Sequence, residues 1–281
     1  MALRLRVLNV FALPGDPFSG NPLGVFEGGD ELSTEQMQAL ARQLNLSETT
    51  FVLPAEVEGT DARVRIFTPT IELPFAGHPT LGTAAVVAGE SGREVVLGLG
   101  AGPIPVTCAA GRWTLTANRG AVTECEASAD EVAGMLSLTG PDLTGPAQWV
   151  DSGLRQLVVQ VATPEAVWSA APDAPLLRRI AMTASGEALC YVWAWSGPDT
   201  VEARLFFSQD TAVVEDPATG SAAANLGSLL AHLGRRGVEV VISQGAAVAR
   251  PSRLHVEVTD EGSVRVGGVV RPFADATVPW P

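Results

Sequence analysis

Two short stretches of the chain put polar groups where ligand chemistry is feasible. Gly77-His78-Pro79 and Thr219-Gly220-Ser221 each stand where a loop enters a helix-like run. A helix start presents backbone N–H groups that have no partner inside the helix, together with the positive end of its dipole. Two such starts form a cradle suited to a carboxylate or similar anion. Pro79 in the first turn and Ser221 as a cap also have plain structural explanations, so these residues alone leave both readings open. Three titratable groups accompany them. His78 is the only histidine beside such a loop, Glu48 sits in Ser47-Glu48-Thr49-Thr50 at a helix-to-strand junction, and Asp216 belongs to Glu215-Asp216-Pro217 before the second helix. Each is either an ordinary solvated or structural residue or a member of an acid–base site.

Composition narrows the chemistry. The 281 residues carry 18 basic and 31 acidic side chains, a net charge of −13, so a nucleic acid or an anionic membrane surface would repel the chain. Every basic residue is Arg. Without Lys, neither a Schiff base nor a lysine-bearing phosphate loop can form. Cys108, Cys125 and Cys190 make no C-x-x-C and suit a reducing compartment. His78, His232 and His255 follow no zinc spacing, so no metal or cofactor is expected. The opening residues alternate like a strand, and no apolar stretch approaches the ~20 residues of a spanning helix. A soluble, cytoplasmic protein is expected.

The elements that must position these residues come in two similar sets. Phe51-Val52-Leu53, a turn, Arg65 to Phe67, then Gly77 and a helix run through the first half. Tyr191-Val192-Trp193, a turn, Arg204 to Phe206, then Gly220 and a helix run through the second. The two Arg-x-Phe pairs are 139 positions apart and the two glycines 143. Two homologous halves follow, 1–117 and 130–281, with the last strand free to return to the first half. Helices are expected at 33–45, 79–88, 128–136, 174–182 and 221–233. Strands are expected at 4–11, 51–54, 62–67, 94–99, 104–108, 112–116, 157–161, 189–195, 201–207, 238–242, 254–259 and 263–269. The class is α+β.

In order along the chain stand Gly20-Asn21-Pro22, Ser47-Glu48-Thr49-Thr50-Phe51, Phe67-Thr68-Pro69, Glu72, Phe75-Ala76-Gly77-His78-Pro79-Thr80-Leu81-Gly82 and Glu215-Asp216-Pro217-Ala218-Thr219-Gly220-Ser221-Ala222. Gln244-Gly245 and Arg250-Pro251-Ser252 follow. This order resembles the phenazine-biosynthesis isomerase (PhzF-like) family over essentially the whole chain. The resemblance implies a diaminopimelate-epimerase-like fold, in which two pseudo-symmetric halves each curl a mainly antiparallel sheet around a central helix, with the active site in the cleft between them. The two catalytic thiols of diaminopimelate epimerase precede each helix-opening glycine, where this chain has Ala76 and Thr219, so two-thiol epimerisation is not expected.

The resemblance further implies a cofactor-independent isomerase of a small unsaturated carboxylate, working as a homodimer. Glu48 would move a proton between carbons of the substrate, with His78 and Asp216 beside it, and Gly77, Gly220 and Ser221 would bind the substrate carboxylate. Such an acid needs its pKa raised toward the working pH, by burial or by a nearby like charge. Two alternatives remain: a racemase or epimerase using Glu48 and Asp216 on opposite faces of one carbon, and a non-catalytic carboxylate-binding or partner protein. One departure stands out. The family's N-terminal strand commonly carries an acid in an Asp-Ala-Phe run, and this chain has Asn9-Val10-Phe11.

Overall fold

The computed structural model describes residues 2–184, 186–209 and 211–280. The chain divides into two compact units, residues 1–116 with 267–281, and residues 117–266. Both are strand-rich with few helices, an α+β architecture.

The first unit runs β1 (Ala2–Val10), β2 (Asn21–Glu27), α1 (Thr34–Leu44), β3 (Glu48–Leu53), β4 (Ala62–Phe67), β5 (Glu72–Leu73), α2 (Gly77–Ala88), β6 (Val95–Leu99), β7 (Gly102–Ala109) and β8 (Arg112–Thr116). The second runs β9 (Ala121–Glu124), α3 (Ala129–Met135), β10 (Gln148–Asp151), β11 (Arg155–Gln160), α4 (Pro164–Ser169), α5 (Ala174–Ile180), β12 (Leu189–Trp195), β13 (Thr200–Gln209), β14 (Ala212–Asp216), α6 (Gly220–His232), β15 (Val238–Gln244), β16 (Ser252–Val258) and β17 (Val264–Pro279). Strand β17 starts in the second unit and ends in the first, where it pairs antiparallel with β1 from Ala2↔Pro279 to Val10↔Val270.

The pairings repeat. Strand β2 lies parallel to β3 across the α1 crossover, as β11 lies parallel to β12 across α4 and α5. Antiparallel β3–β4–β5 matches β12–β13–β14, and parallel β4–β6 matches β13–β15. In each unit the helix that follows the short third hairpin strand is the central one. Helix α2 packs on β1, β2, β3, β6 and β8; α6 packs on β9, β10, β11 and β16. Their sequences explain this. Small and apolar residues, chiefly Ala, Gly and Leu, cover nearly every side of both, so neither has a broad face that water would favour. Small residues also let strands come close: a Cβ on Gly82 would sit 2.4 Å from Leu23, and one on Gly227 2.6 Å from Val264.

The opposite face of each sheet carries a second apolar layer. In the first unit Met37, Leu40 and Ala41 of α1 pack on Leu3, Leu5, Phe26, Phe51 and Phe67. Phe26 stacks on Phe51 at 5.1 Å, and Phe51 meets Phe67 edge-on at 5.5 Å. In the second unit α3, α4 and α5 cover Leu157, Val159, Cys190, Val192 and Phe206.

Two corrections to the expected elements bear on the site. Strand β3 begins at Glu48 rather than Phe51, because Thr49 and Thr50 are buried strand residues whose hydroxyls disguise them; Thr50 and Thr83 join hydroxyl to hydroxyl at 2.8 Å. Helix α2 begins at Gly77 rather than Pro79, which makes Pro79 its third residue, still within the turn where a missing N–H costs nothing.

Candidate active site

Glu48 opens β3 beside Leu23 of β2, and His78 is the second residue of α2. The fold brings them together: His78 Nδ1 lies 3.2 Å from Glu48 Oε2, with the His78 side chain 5% and the Glu48 side chain 18% exposed. Burial pushes the His78 pKa down to about 3, against the weaker opposing pull of the Pro22 backbone carbonyl. His78 is therefore neutral at physiological pH, and its contact with Glu48 is not a pairing of two full charges. A neutral imidazole holds one N–H and one lone pair. Nε2 is buried without a hydrogen-bond partner among the described residues, so the ring proton that meets the Pro22 carbonyl is carried on Nδ1. The 3.2 Å separation sets Nδ1 against Glu48 Oε2 as a close polar contact rather than a hydrogen bond.

The first turn of α2 has no side-chain cap, since Ala76 precedes it, and Thr80 N–H and Oγ1 both donate to the Ala76 carbonyl. The other uncapped α-helix is α6, behind Thr219; Ser33, Ser128, Thr163 and Asp173 cap α1, α3, α4 and α5. Gly77 and Gly220, with Ser221, accordingly keep N-terminal amides that no side chain caps.

In the second unit Asp216 ends β14, and its Oδ2 accepts a hydrogen bond from Thr219 Oγ1. Gln244, 2% exposed, clamps the intervening loop. Its Nε2 donates to the Asp216 carbonyl at 2.9 Å and to Thr219 Oγ1 at 3.0 Å, while its Oε1 accepts from Thr219 N–H at 3.4 Å. Gly245 follows with φ +81°, where a Cβ would stand 2.2 Å from the Pro217 carbonyl oxygen and 2.4 Å from that of Arg250. Ser221 Oγ accepts from Gln156 Nε2 at 3.1 Å.

A matched pair of arginines braces the strands that lead into the two central helices. Arg65 forks onto Glu72 at 2.7 and 2.6 Å and covers the Phe67 ring at 5.0 Å. Arg204 forks onto Glu215 Oε2 at 3.1 and 2.7 Å and covers the Phe206 ring at 4.6 Å. Phe67 pairs with Glu72 across the hairpin in the same register that sets Phe206 opposite Glu215. That register makes Leu73 the counterpart of Asp216 and Leu189 the counterpart of Glu48. Each unit therefore carries one acid that its twin lacks.

Other groups lie outside this chemistry. Cys190 is buried in the second unit's core, where burial raises its thiol pKa, and Cys108 and Cys125 are partly exposed. Among the described residues no cluster of His, Cys, Asp and Glu could hold a metal ion, and no helix is long and apolar enough to cross a membrane. A cavity of about 400 Å³ beside Arg63, Arg65 and Pro74, and one of about 560 Å³ beside Gly140 and Pro146, hold none of the candidate residues. Sequence reading gave no role to Gln156, Asn225 or the Gln244 clamp. The available signal was a lone Asn in an otherwise small and apolar helix.

Comparison with known proteins agrees with this architecture. A family model described as phenazine biosynthesis-like protein matches residues 8–273. An uncharacterized isomerase of Pasteurella multocida is 36% identical over 268 residues, covering 94% of this chain and 90% of the relative. The trans-2,3-dihydro-3-hydroxyanthranilate isomerase of Pseudomonas aeruginosa is 35% identical over 298 residues, covering 97% and 98%. A Bacillus anthracis phenazine biosynthesis protein of the PhzF family has the same fold, with a TM-score of 0.85 at 21% identity over 100% of both chains.

Proposed function

The chain belongs to the phenazine biosynthesis-like (PhzF) family and is an isomerase of that family, and on this premise we propose that Glu48 is its acid–base group, acting on a small unsaturated carboxylate. The contact between Glu48 Oε2 and a buried, neutral His78 Nδ1 carries this reading. A general acid–base must change protonation state without a large reorganisation around it. A neutral imidazole 3.2 Å away sets a polar group beside Glu48 without a second full charge, so neither protonation state of Glu48 is locked by an ion pair.

In the proposed reaction Glu48 takes a proton from a carbon made acidic by conjugation. The electron pair moves along the conjugated system, and the protonated Glu48 returns a proton at another carbon, restoring the carboxylate. Atoms and charge balance within the substrate, so neither a redox partner nor a cofactor enters. Gly77, Gly220 and Ser221 are assigned as donors to the substrate carboxylate and to charge developing in the transition state. Asp216 is assigned a place at the same chemistry, with its carboxylate oriented by Thr219 and Gln244. The relatives named for trans-2,3-dihydro-3-hydroxyanthranilate make that compound the first substrate to test. A homodimer and a cytoplasmic location belong to the same reading; light scattering on the purified chain tests the first.

The experiment is isomerisation of that compound in D₂O, followed by mass spectrometry, for the parent and Glu48→Gln. Product from the parent, with kcat reduced about 10²–10⁴-fold in Glu48→Gln and an unchanged melting temperature, is the expected result. Full activity in Glu48→Gln would remove Glu48 from the reaction. Solvent deuterium appearing at one carbon together with inversion of that centre, and no shift of the double bonds, would favour the racemase reading, in which Asp216 is the second base.

A further inference from the structure

The hydroxyl of Ser221 has its proton aimed by a buried amide chain that never reaches the surface. Asn225 and Gln156 are both fully buried. Asn225 Oδ1 accepts from Ser152 N–H at 2.9 Å and from Ser152 Oγ at 2.7 Å, and its Nδ2 donates to the Leu154 carbonyl at 2.9 Å. A backbone carbonyl only accepts and a backbone N–H only donates, so the Asn225 amide has one permitted orientation. Its second Nδ2 proton goes to Gln156 Oε1 at 2.9 Å. Gln156 is fixed in turn: with Oε1 engaged, Nε2 must point the other way, and it donates to Ser221 Oγ at 3.1 Å. Ser221 Oγ has therefore been made an acceptor on its inner side. Its own proton must leave in another direction, and no acceptor for it occurs among the described residues.

We propose that Gln156 and Asn225 are positioning residues that make Ser221 Oγ an obligatory hydrogen-bond donor to the substrate's anionic oxygen, beside the uncapped amides that open α6. This rests on the assignment of Ser221 to the substrate-binding site. The physical gain is preorganisation. A serine hydroxyl in water donates and accepts in turn, whereas this one is held as a donor before an anion arrives, so no reorientation is needed on binding. The cost of burying two amides fits the same account, because every amide hydrogen bond that sets the direction is satisfied.

The test is a cycle of variants read by KM and kcat on trans-2,3-dihydro-3-hydroxyanthranilate, and by calorimetric binding of 3-hydroxyanthranilate as a carboxylate probe that cannot undergo the shift. Asn225→Asp removes the Nδ2 donor, so Gln156 turns its Nε2 toward position 225 and its Oε1 toward Ser221. The serine proton is then drawn inward. KM and the probe Kd should rise about ten- to a hundredfold, the loss of one hydrogen bond to a charged group, with kcat affected less. Gln156→Leu, which adds no buried charge, is the companion should Asn225→Asp fail to fold, and it should weaken probe binding in the same direction. On a Ser221→Ala background neither change should weaken binding further, since no hydroxyl is left to aim.

Equal losses with and without the Ser221 hydroxyl would mean that the amides only support the fold, and the proposal falls. If the parent neither binds the probe nor turns over the substrate, the functional reading has failed. A neutron structure of the free protein then decides the relay by itself: a Ser221 deuteron pointing away from Gln156 upholds it, and one pointing at Gln156 overturns it.

Discussion

His78 Nδ1 lies 3.2 Å from Glu48 Oε2, and the histidine is neutral because burial holds its pKa at about 3. The unfolded chain would protonate the same side chain near 6.5. Between these values the unfolded state binds a proton that the folded state does not, so stability falls as pH drops from about 6.5 toward 3. The slope is about 1.4 kcal/mol per pH unit for this one group, and above 6.5 it contributes no pH dependence. Urea unfolding at pH 7.5 and pH 5.0 should therefore show a larger drop for the parent than for His78→Gln. An identical drop in both would mean that His78 is protonated in the folded protein. Activity carries a matching expectation: no limb of the kcat/KM profile between pH 5 and 8 should disappear in His78→Gln.

The two arginine braces are alike in geometry but not in burial, and their loss should differ accordingly. Arg204 and Glu215 have side chains 14% and 7% exposed, while Arg65 and Glu72 are at 15% and 39%. Glu215 Oε1 is already buried without a hydrogen-bond partner among the described residues. Arg204→Met would strand the whole carboxylate, and would also free the Val167, Trp168 and Ala170 carbonyls that Arg204 Nη1 satisfies. A cost of about 3–5 kcal/mol is expected. Arg65→Met leaves Glu72 able to reach water and should cost about 1 kcal/mol. Equilibrium denaturation of the two variants should rank them in that order.

Gly245 is the backbone half of the clamp whose side-chain half is Gln244. In Gly245→Ala the new methyl meets two carbonyl oxygens at 2.2 and 2.4 Å, at a φ of +81°. Neither neighbour is a flexible side-chain end, so the strand or the 216–219 loop must move. The left-handed backbone alone costs about 1–2 kcal/mol. A melting temperature lower by at least about 4 °C is expected, at roughly 2–4 °C per kcal/mol for a chain of this size. Because the loop carries Asp216 and Thr219, activity should fall further than the lost stability accounts for at 25 °C.

The internal repeat was legible because its markers are chemically loud: an Arg-x-Phe in each half and a glycine at each central helix. The structure gives those markers one physical meaning, a guanidinium over a ring and forked onto a glutamate, twice. What stayed hidden was quieter. Strand β2 reads as Asn-Pro-Leu-Gly, with a Pro and a Gly that argue against a strand, yet it is buried between β1 and β3. Glu48 looked like a turn residue because Thr49 and Thr50 hid the start of β3. The amide relay behind Ser221 could not be read at all. Gln156 and Asn225 lie 69 positions apart, and only the fold brings them to 2.9 Å.

Asn9 stands where the resemblance led us to expect an acid, and its surroundings favour the amide. It is 3% exposed, sits opposite Pro22 in the β1–β2 register, and its Nδ2 donates to the Pro17 carbonyl at 2.8 Å. A carboxylate at this position would turn an oxygen toward that carbonyl, with no proton between them. In Asn9→Asp the new acid is expected to fold with its pKa raised above the ~3.9 of the unfolded chain, because only the protonated form replaces the lost donor. A raised folded pKa makes the protonated state's stability available below about pH 4 and removes it as pH climbs. The variant should therefore unfold near the parent's midpoint at pH 4 and about 1–3 kcal/mol earlier at pH 7. Pro22 is also the residue whose carbonyl acts on His78, so the change should reach the active site in the same pH range. Glu48-dependent turnover that weakens between pH 5 and 7 in Asn9→Asp, but not in the parent, is the expected signature. A variant equally stable at both pH values would show that the Pro17 carbonyl does not require the donor.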